Sequence, residues 1–170
     1  CIAVIAGDVF HMKGRADVFA ITMLNCFIGC FPKTMCIYIL RGNHDVVQQR
    51  PNDPDLLEVL LEQYENVTYI KETTVFKVGD VGFGLVDIMD VLEPGTSSGR
   101  QVDSLPKFPS AQTDVSLNVA LFHGTIVKCK LQNYSQSVEG VPLRWFEGYD
   151  IAMLGDVHLR QFHGIGDQFS

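Results

Sequence analysis

The stretch MCIYILRGNHD, residues 35–45, says more about the fold than any other part of the chain. Its first six residues form a short apolar run, which suits a strand that is buried on both faces. The run leads directly into Gly42, Asn43, His44 and Asp45. Gly and Asn are ordinary turn residues, but core packing requires none of these four. The stretch therefore predicts a buried strand whose end presents polar groups, and it raises the question of whether the other strands end in the same way.

Three further apolar runs, within residues 1–6, 115–122 and 150–154, also lead into glycine, aspartate or histidine. The residues at their ends are Gly7, Asp8, His11, His123, Gly124, Gly155, Asp156 and His158. In open α/β sheets, ligands bind outside the carboxyl ends of the strands, so four such ends on neighbouring strands should converge on one patch. Glycine beside each cluster would let the backbone turn sharply and approach a ligand closely.

The rest of the pattern predicts a layered α/β protein with a mixed sheet and flanking helices. Residues 15–29 have helical spacing, and a second helix is expected after residue 51, with Asp53 as its N-cap and Pro54 in the first helical position. Residues 67–70 and 74–87 indicate strands with a turn at Gly79 and Asp80, and residues 158–166 a further edge strand. Residues 91–115, rich in Pro, Ser, Gly and Asp, indicate a long loop.

The chain has no internal repeat and no domain linker, so residues 1–170 are expected to belong to one domain. Because the chain opens inside an apolar run without an initiator Met, we expect a fragment that is truncated at both ends. No apolar run reaches the roughly 18–20 residues that a membrane span needs, so no membrane association is expected. The five cysteines match no zinc pattern, and their odd number indicates reduced thiols, which predicts a cytoplasmic protein.

The net charge of −7 argues against a nucleic-acid binder, unless bound cations offset the carboxylates locally. Carboxylate, amide and imidazole donors together suit Mn²⁺, Fe²⁺ or Zn²⁺ better than Mg²⁺ or Ca²⁺. Two such ions about 3.5–4 Å apart can clamp a phosphate and activate a water. The order GDxxH, GNHD, HG and GDxH along the chain is far more specific than any single member of the series.

This order resembles the calcineurin-like metallophosphoesterases, whose motifs run DxH, GDxx, GNH, H and GHxH. GDVFH at residues 7–11 is similar to the DNA-repair nuclease branch, and EGYDIAMLGDVHLRQ at residues 147–161 to SbcD-like exonuclease subunits of phages and bacteria. The resemblance implies a metallophosphoesterase fold and a DNA nuclease of repair or recombination. It also implies two divalent ions, with Mn²⁺ favoured over Mg²⁺, Fe²⁺ and Zn²⁺, and an SbcC-like coiled-coil ATPase as partner in the cytoplasm of a bacterial or phage-infected cell.

The resemblance further implies the roles of individual residues. The metal ligands it implies are Asp8, which bridges the two ions, Asn43, His123, Asp156 and His158. The residues implied to act at the phosphate are His44, which stabilises it and assists the leaving group, and His11, with Asp45 orienting His44.

The chain departs from the family pattern in two places. The DxH motif, with two ligands of the first ion, would precede Cys1, and GDVH stands where GHxH is usual. Asp156 in place of a histidine should favour oxygen-loving metals such as Mn²⁺ or Mg²⁺. Two alternatives stay open: a phosphomonoesterase or cyclic-nucleotide phosphodiesterase of the same superfamily, and a non-catalytic scaffold for the ATPase. The apolar residues of the two helices predict either a homodimer face or an intramolecular core.

Overall fold

The computed structural model describes residues 1–12, 15–46, 55–92 and 105–163. Within these ranges, two helices and seven strands define an α/β protein, as predicted. The helices are α1 (Val18–Gly29) and α2 (Leu56–Leu61). The strands are β1 (Ile2–Ile5), β2 (Cys36–Leu40), β3 (Val67–Ile70), β4 (Thr74–Val78), β5 (Val81–Val86), β6 (Leu117–His123) and β7 (Ile151–Gly155).

The strands form two sheets. The first is parallel and has the order β1-β2-β3, and the second has the order β4-β5-β6-β7. The second sheet is mixed, because β4 pairs antiparallel with β5 across the turn at Gly79, whereas β5, β6 and β7 run parallel. Parallel pairing matters for function, since it brings the carboxyl ends of consecutive strands to the same edge of a sheet.

Alternating side chains of the central strands define the layers of the protein. Ile37 and Ile39 of β2 face the core that includes α1 and α2, whereas Leu40 belongs to the core shared with the second sheet. In β6, Leu121 faces that shared core and Phe122 faces an outer core built from loops and a 3₁₀ helix at Leu143–Phe146. The period of two is that of strands buried on both faces.

The helices divide their apolar residues between the core and the surface. Leu24 and Ile28 of α1 are buried with Leu57 of α2, so these three belong to an intramolecular core. Phe19 and Phe27, in contrast, are 73% and 48% exposed. A homodimer face on these exposed residues stays a prediction. None of the helices in the described part of the chain is long and apolar enough to cross a bilayer.

Two details of the predicted elements are wrong. Helix α2 begins at Leu56 with Asp55 as its N-cap, because the Asp55 carboxylate accepts a hydrogen bond from the Glu58 N–H. The predicted cap and first residue, Asp53 and Pro54, lie outside the described residues.

Residues 158–163 are the described part of the predicted edge strand, and they form no strand. The edge of the second sheet is therefore β7 within the described residues. Of the predicted long loop, residues 105–115 lack regular structure, and residues 93–104 lie outside the described ranges.

A buried ion pair joins the two sheets near their carboxyl ends. Arg41 follows β2, Asp87 follows β5, and the guanidinium donates through Nε and Nη2 to the carboxylate. The two side chains are only 7% and 3% exposed. Burial raises the pKa of Asp87, and the contact with Arg41 acts in the opposite direction. The pair therefore sets the relative position of two strand ends at a cost in desolvation.

Candidate metal centre

The carboxyl ends of β1, β2, β6 and β7 meet at one place, as the sequence predicted. In the first sheet β1 pairs with β2, and in the second His123 at the end of β6 pairs with Gly155 at the end of β7. His123 connects the sheets there, because its Nδ1 lies 2.5 Å from the carbonyl oxygen of Ala6. The residues after four separate strands are thus brought to a common patch.

Three predicted ligands form a compact donor group at this patch. Asp8, His123 and Asp156 each offer one ligand atom, and these atoms all lie within 4.8 Å of one another. Asn43 adjoins the group, with its side-chain oxygen 3.2 Å from Nε2 of His123. Two carboxylates, an imidazole and an amide oxygen form a donor set that fits a divalent ion such as Mn²⁺. We call these four residues the donor group.

The backbone at both carboxylates adopts an uncommon conformation. Asp8 has φ 54° and Asp156 has φ 75°, which places both in the left-handed region. Aspartate tolerates this region better than most residues do, but the conformation still costs free energy and is typical of functional sites. Asp156 directly follows β7 and Asp8 comes three residues after the end of β1, so both uncommon conformations occur where the chain leaves a parallel strand.

Glycine at two positions allows the chain segments to approach closely. A Cβ atom on Gly42 would collide with the backbone nitrogen of Asp8, and one on Gly155 with the carbonyl oxygen of Ala6. Gly42 was expected to supply a tight turn, and a turn does begin there, since the Asp45 N–H donates to the Gly42 carbonyl over 3.2 Å. Gly42 does not have positive φ, so glycine is required at this position by the close contact between the GDVF and GNHD loops.

Asp8 and His123 shift each other's pKa in the absence of metal. Burial by itself would raise the pKa of Asp8, but hydrogen bonds from His123 and from the His44 N–H, with the charge of His123, lower it. Burial would lower the pKa of His123, but its contacts with Asp8 and the Ala6 carbonyl raise it. The bond to Ala6 O also makes Nδ1 the donor nitrogen, which leaves Nε2 facing the donor group.

Asp45 has a different role from the one the resemblance implied. Its carboxylate accepts hydrogen bonds from the backbone N–H groups of Asp8, Phe10 and Gly42, and it lies 3% exposed. It does not orient the imidazole of His44, whose Nδ1 instead lies 2.5 Å from the carbonyl oxygen of His11. Burial raises the pKa of Asp45 despite these bonds. The residue holds the two loops together and supports the backbone of Asp8.

The two histidines implied to act at the phosphate lie side by side. Their rings stack with centroids 5.6 Å apart, and the His44 N–H donates to Asp8 Oδ1 over 2.9 Å. His44 is half-buried, whereas His11 is exposed. Since Nδ1 of His44 faces a carbonyl oxygen, it carries the proton, and Nε2 is available on the other side of the ring.

His158 is the predicted ligand that the structure leaves apart from the donor group. It is exposed, and its Nδ1 lies 2.6 Å from the Gln132 side-chain nitrogen. Thr125, in contrast, is a site residue that the sequence reasoning missed. Its hydroxyl donates to Asp156 Oδ2 over 2.6 Å. A hydroxyl two residues after His123, at the same strand end, was the available signal.

Comparison with known proteins relates the chain to two viral proteins. No family model matches it. The chain is 25% identical over 166 residues to an uncharacterized protein of Acanthamoeba polyphaga mimivirus, covering 95% of the chain and 12% of that protein. It is 27% identical over 165 residues to a protein of Invertebrate iridescent virus 6 that is named a putative phosphoesterase, covering 94% of the chain and 53% of that protein. The chain thus spans about half or less of the length of these relatives.

Proposed function

We propose that the protein is a metal-dependent phosphoester hydrolase, and that it cleaves phosphodiester bonds of DNA during repair or recombination. The observation that carries the proposal is the donor group, in which Asp8, His123 and Asp156 offer ligand atoms within 4.8 Å of one another. The similarity to a viral protein named a phosphoesterase supports the hydrolase class. The order of the sequence motifs supports the nuclease branch.

The donor group and His158 would hold the metal, for which we propose two divalent ions, Mn²⁺ before Mg²⁺, Fe²⁺ or Zn²⁺. His158 would have to leave its contact with Gln132 to join the other ligands. When bound, divalent ions polarise a phosphoryl oxygen and lower the pKa of a coordinated water. Asp8 combines an unusual backbone conformation with a lowered pKa, which keeps its carboxylate ionised and available for such an ion.

The two histidines would handle the proton and the charge of the phosphoryl group. His44 is held by its backbone bond to Asp8 and its ring bond to the His11 carbonyl, so Nε2 is directed by two fixed contacts. With a second proton on Nε2, His44 would stabilise developing negative charge on the phosphoryl group and give that Nε2 proton to the leaving oxygen, keeping the Nδ1 proton on the His11 carbonyl. His11, stacked on it, is a second donor on the open side of the site.

The test compares hydrolysis by the full-length protein and by His44→Ala, with Mn²⁺ present, on linear DNA and on a small phosphomonoester. We expect His44→Ala to abolish DNA cleavage and to leave Mn²⁺ affinity nearly unchanged, because His44 offers no ligand atom to the donor group. His163→Ala is the matched control, since His163 is exposed and contacts Gln161. Full cleavage by His44→Ala would overturn the role of this residue.

A second candidate function is the hydrolysis of phosphomonoesters or cyclic nucleotides. The net charge of −7 favours it, because a duplex polyanion is repelled by an acidic protein. Turnover of the monoester without DNA cleavage would establish this candidate. Failure to bind two metal ions, with no turnover of either substrate, would instead establish a non-catalytic scaffold.

The proposal places the protein in the cytoplasm of an infected cell, with an SbcC-like coiled-coil ATPase as its partner. The two viral relatives support the cellular context. The resemblance to SbcD-like subunits supports the partner. The corresponding measurement purifies the full-length protein from infected cells and identifies the proteins that co-purify with it. We expect a coiled-coil ATPase among them, and we expect it to be missing when the gene for that ATPase is removed.

A further inference from the structure

We propose that a cavity next to the donor group receives an uncharged aromatic ring carried by the ester substituent of the substrate phosphoryl group, such as a nucleobase or an aryl group. This inference rests on the proposed phosphoester hydrolase and adds a substrate class to it. We call the space the ring cavity. Its apolar wall includes Ile88, Val91, Leu105, Phe122, Leu131 and Val141.

The ring cavity has the size and the position of a small-molecule subsite. Its volume is about 360 Å³, within the roughly 300–1,000 Å³ of typical ligand pockets. Asn43, His123 and Asp156 of the donor group line it directly. A phosphoryl group held by the donor group would therefore have this space immediately beside it.

The charge of the lining selects for an uncharged occupant. The described lining residues include no Lys or Arg, and the acidic groups among them are Asp156 and Glu139. A second phosphate in this space would meet these carboxylates and the apolar wall without a Lys or Arg side chain to compensate for its desolvation. A flat apolar ring, in contrast, would exchange water for contacts with Val141, Leu131 and their neighbours.

A second depression also borders Asp156 and has a volume of about 410 Å³. Its lining shares Thr125, Leu131 and Asp156 with the ring cavity. It adds Val157 and three side chains that can form hydrogen bonds, Gln132, Asn133 and His158. A phosphoester bound at the donor group would place its apolar substituent in the ring cavity and its polar remainder beside these three side chains.

Hydrogen bonds hold the far wall of the ring cavity in place. The Val141 N–H donates to the Thr125 carbonyl, and the Val127 N–H donates to the Val141 carbonyl. The Ser137 hydroxyl, which is buried, donates to the Glu139 carbonyl. Because the wall is fixed by backbone bonds, binding a ring requires little ordering of the protein.

The experiment measures the binding of three probes to the full-length protein with Mn²⁺ by titration calorimetry: methylphosphonate, phenylphosphonate and thymidine 5′-monophosphate. Phenylphosphonate should bind about tenfold to a hundredfold more tightly than methylphosphonate, the gain expected from burying one ring. Leu92→Trp, at a half-buried wall position that the second depression does not share, should remove this preference by filling the ring cavity. Leu92→Phe should reduce it with a smaller disturbance of the fold. Val138→Trp is the matched control, since Val138 is 88% exposed and outside the lining.

The outcomes separate this inference from the proposed function. Equal binding of phenylphosphonate and methylphosphonate would overturn the ring cavity, even if the protein hydrolyses phosphoesters. A preference for phenylphosphonate that Leu92→Trp abolishes and Val138→Trp preserves would support it, even if no phosphoester tested is turned over. Equal sensitivity of the thymidine nucleotide to Leu92→Trp would identify a nucleobase as the ring, and sensitivity of phenylphosphonate alone would identify an aryl group. A preference for phenylphosphonate that survives Leu92→Trp would overturn the proposed location.

Discussion

Replacing Asp45 with Asn should damage both stability and metal binding, although Asp45 offers no ligand atom to the donor group. Its Oδ2 accepts from the N–H groups of Asp8 and Gly42, each over 2.9 Å, and its Oδ1 accepts from the Phe10 N–H over 3.2 Å. An asparagine in the same rotamer keeps one oxygen and turns an NH₂ group toward the remaining backbone donor. At least one bond is therefore lost, and the others become neutral.

The expected loss of unfolding free energy can be worked out from these contacts. A hydrogen bond to a charged group contributes about 1.5–3 kcal/mol and a neutral one about 0.5–1.5 kcal/mol, so exchanging three charged bonds for two neutral ones would cost about 3.5–6 kcal/mol. Removing the buried charge returns part of this, because burial already disfavours the ionised form of Asp45. We expect a net loss of about 2–4 kcal/mol in urea unfolding. The Mn²⁺ dissociation constant should rise about tenfold, as the strained backbone of Asp8 loses its support.

Asp55→Asn is the matched control for this prediction. Asp55 is also a buried aspartate, but it caps α2 and accepts a hydrogen bond from the Tyr69 hydroxyl. Asn is an equally good N-cap, so the change should cost about 1 kcal/mol or less and leave Mn²⁺ affinity unchanged. If Asp45→Asn matched the wild type in both urea midpoint and Mn²⁺ affinity, the supporting role of Asp45 would be refuted.

Two further predictions concern charge. Arg41→Met should lower the free energy of unfolding by about 3–5 kcal/mol, because it leaves Asp87 charged and buried. The double variant Arg41→Met with Asp87→Leu should recover most of that loss, and equal urea curves for the single and double variants would contradict this prediction. Mn²⁺ affinity should rise by about tenfold per pH unit up to the raised pKa of His123 and level off above it, because the metal requires a neutral imidazole. In the metal-free protein the protonated ring stabilises the fold at low pH, and that contribution to the free energy of unfolding disappears as pH rises through the same pKa. Calorimetry across about pH 5.5–8.5 tests this, and a flat profile for the wild type would refute it.

Much of the architecture was predictable because its determinants are local. The run from residue 35 to residue 40 is apolar on both faces, and β2 is buried on both sides between the helices and the second sheet. The turn at Gly79 links β4 to β5 as its sequence indicated. Polar residues directly after apolar runs also predicted which side chains would meet, since parallel strands place their ends together.

The partners of those side chains could not be predicted, because they come from distant parts of the chain. Asp45 was expected to orient its sequence neighbour His44, but its carboxylate binds backbone groups 35 and 37 residues away. His123 takes its orientation from the carbonyl of Ala6, 117 residues away. A backbone carbonyl leaves no mark on the amino-acid sequence, so only the folded chain reveals this contact.

The amino-acid sequence was enough to predict the seven strands of the described residues, their polar ends and the residue types of the donor group, because apolar periodicity and strand termini are properties of neighbouring residues. Tertiary packing set the division into two sheets, the loop-bridging role of Asp45, the separation of His158 from Asp8, and the ring cavity beside Asp156. These depend on distances between segments far apart in the chain. Such distances are set by packing between layers, which no local pattern encodes.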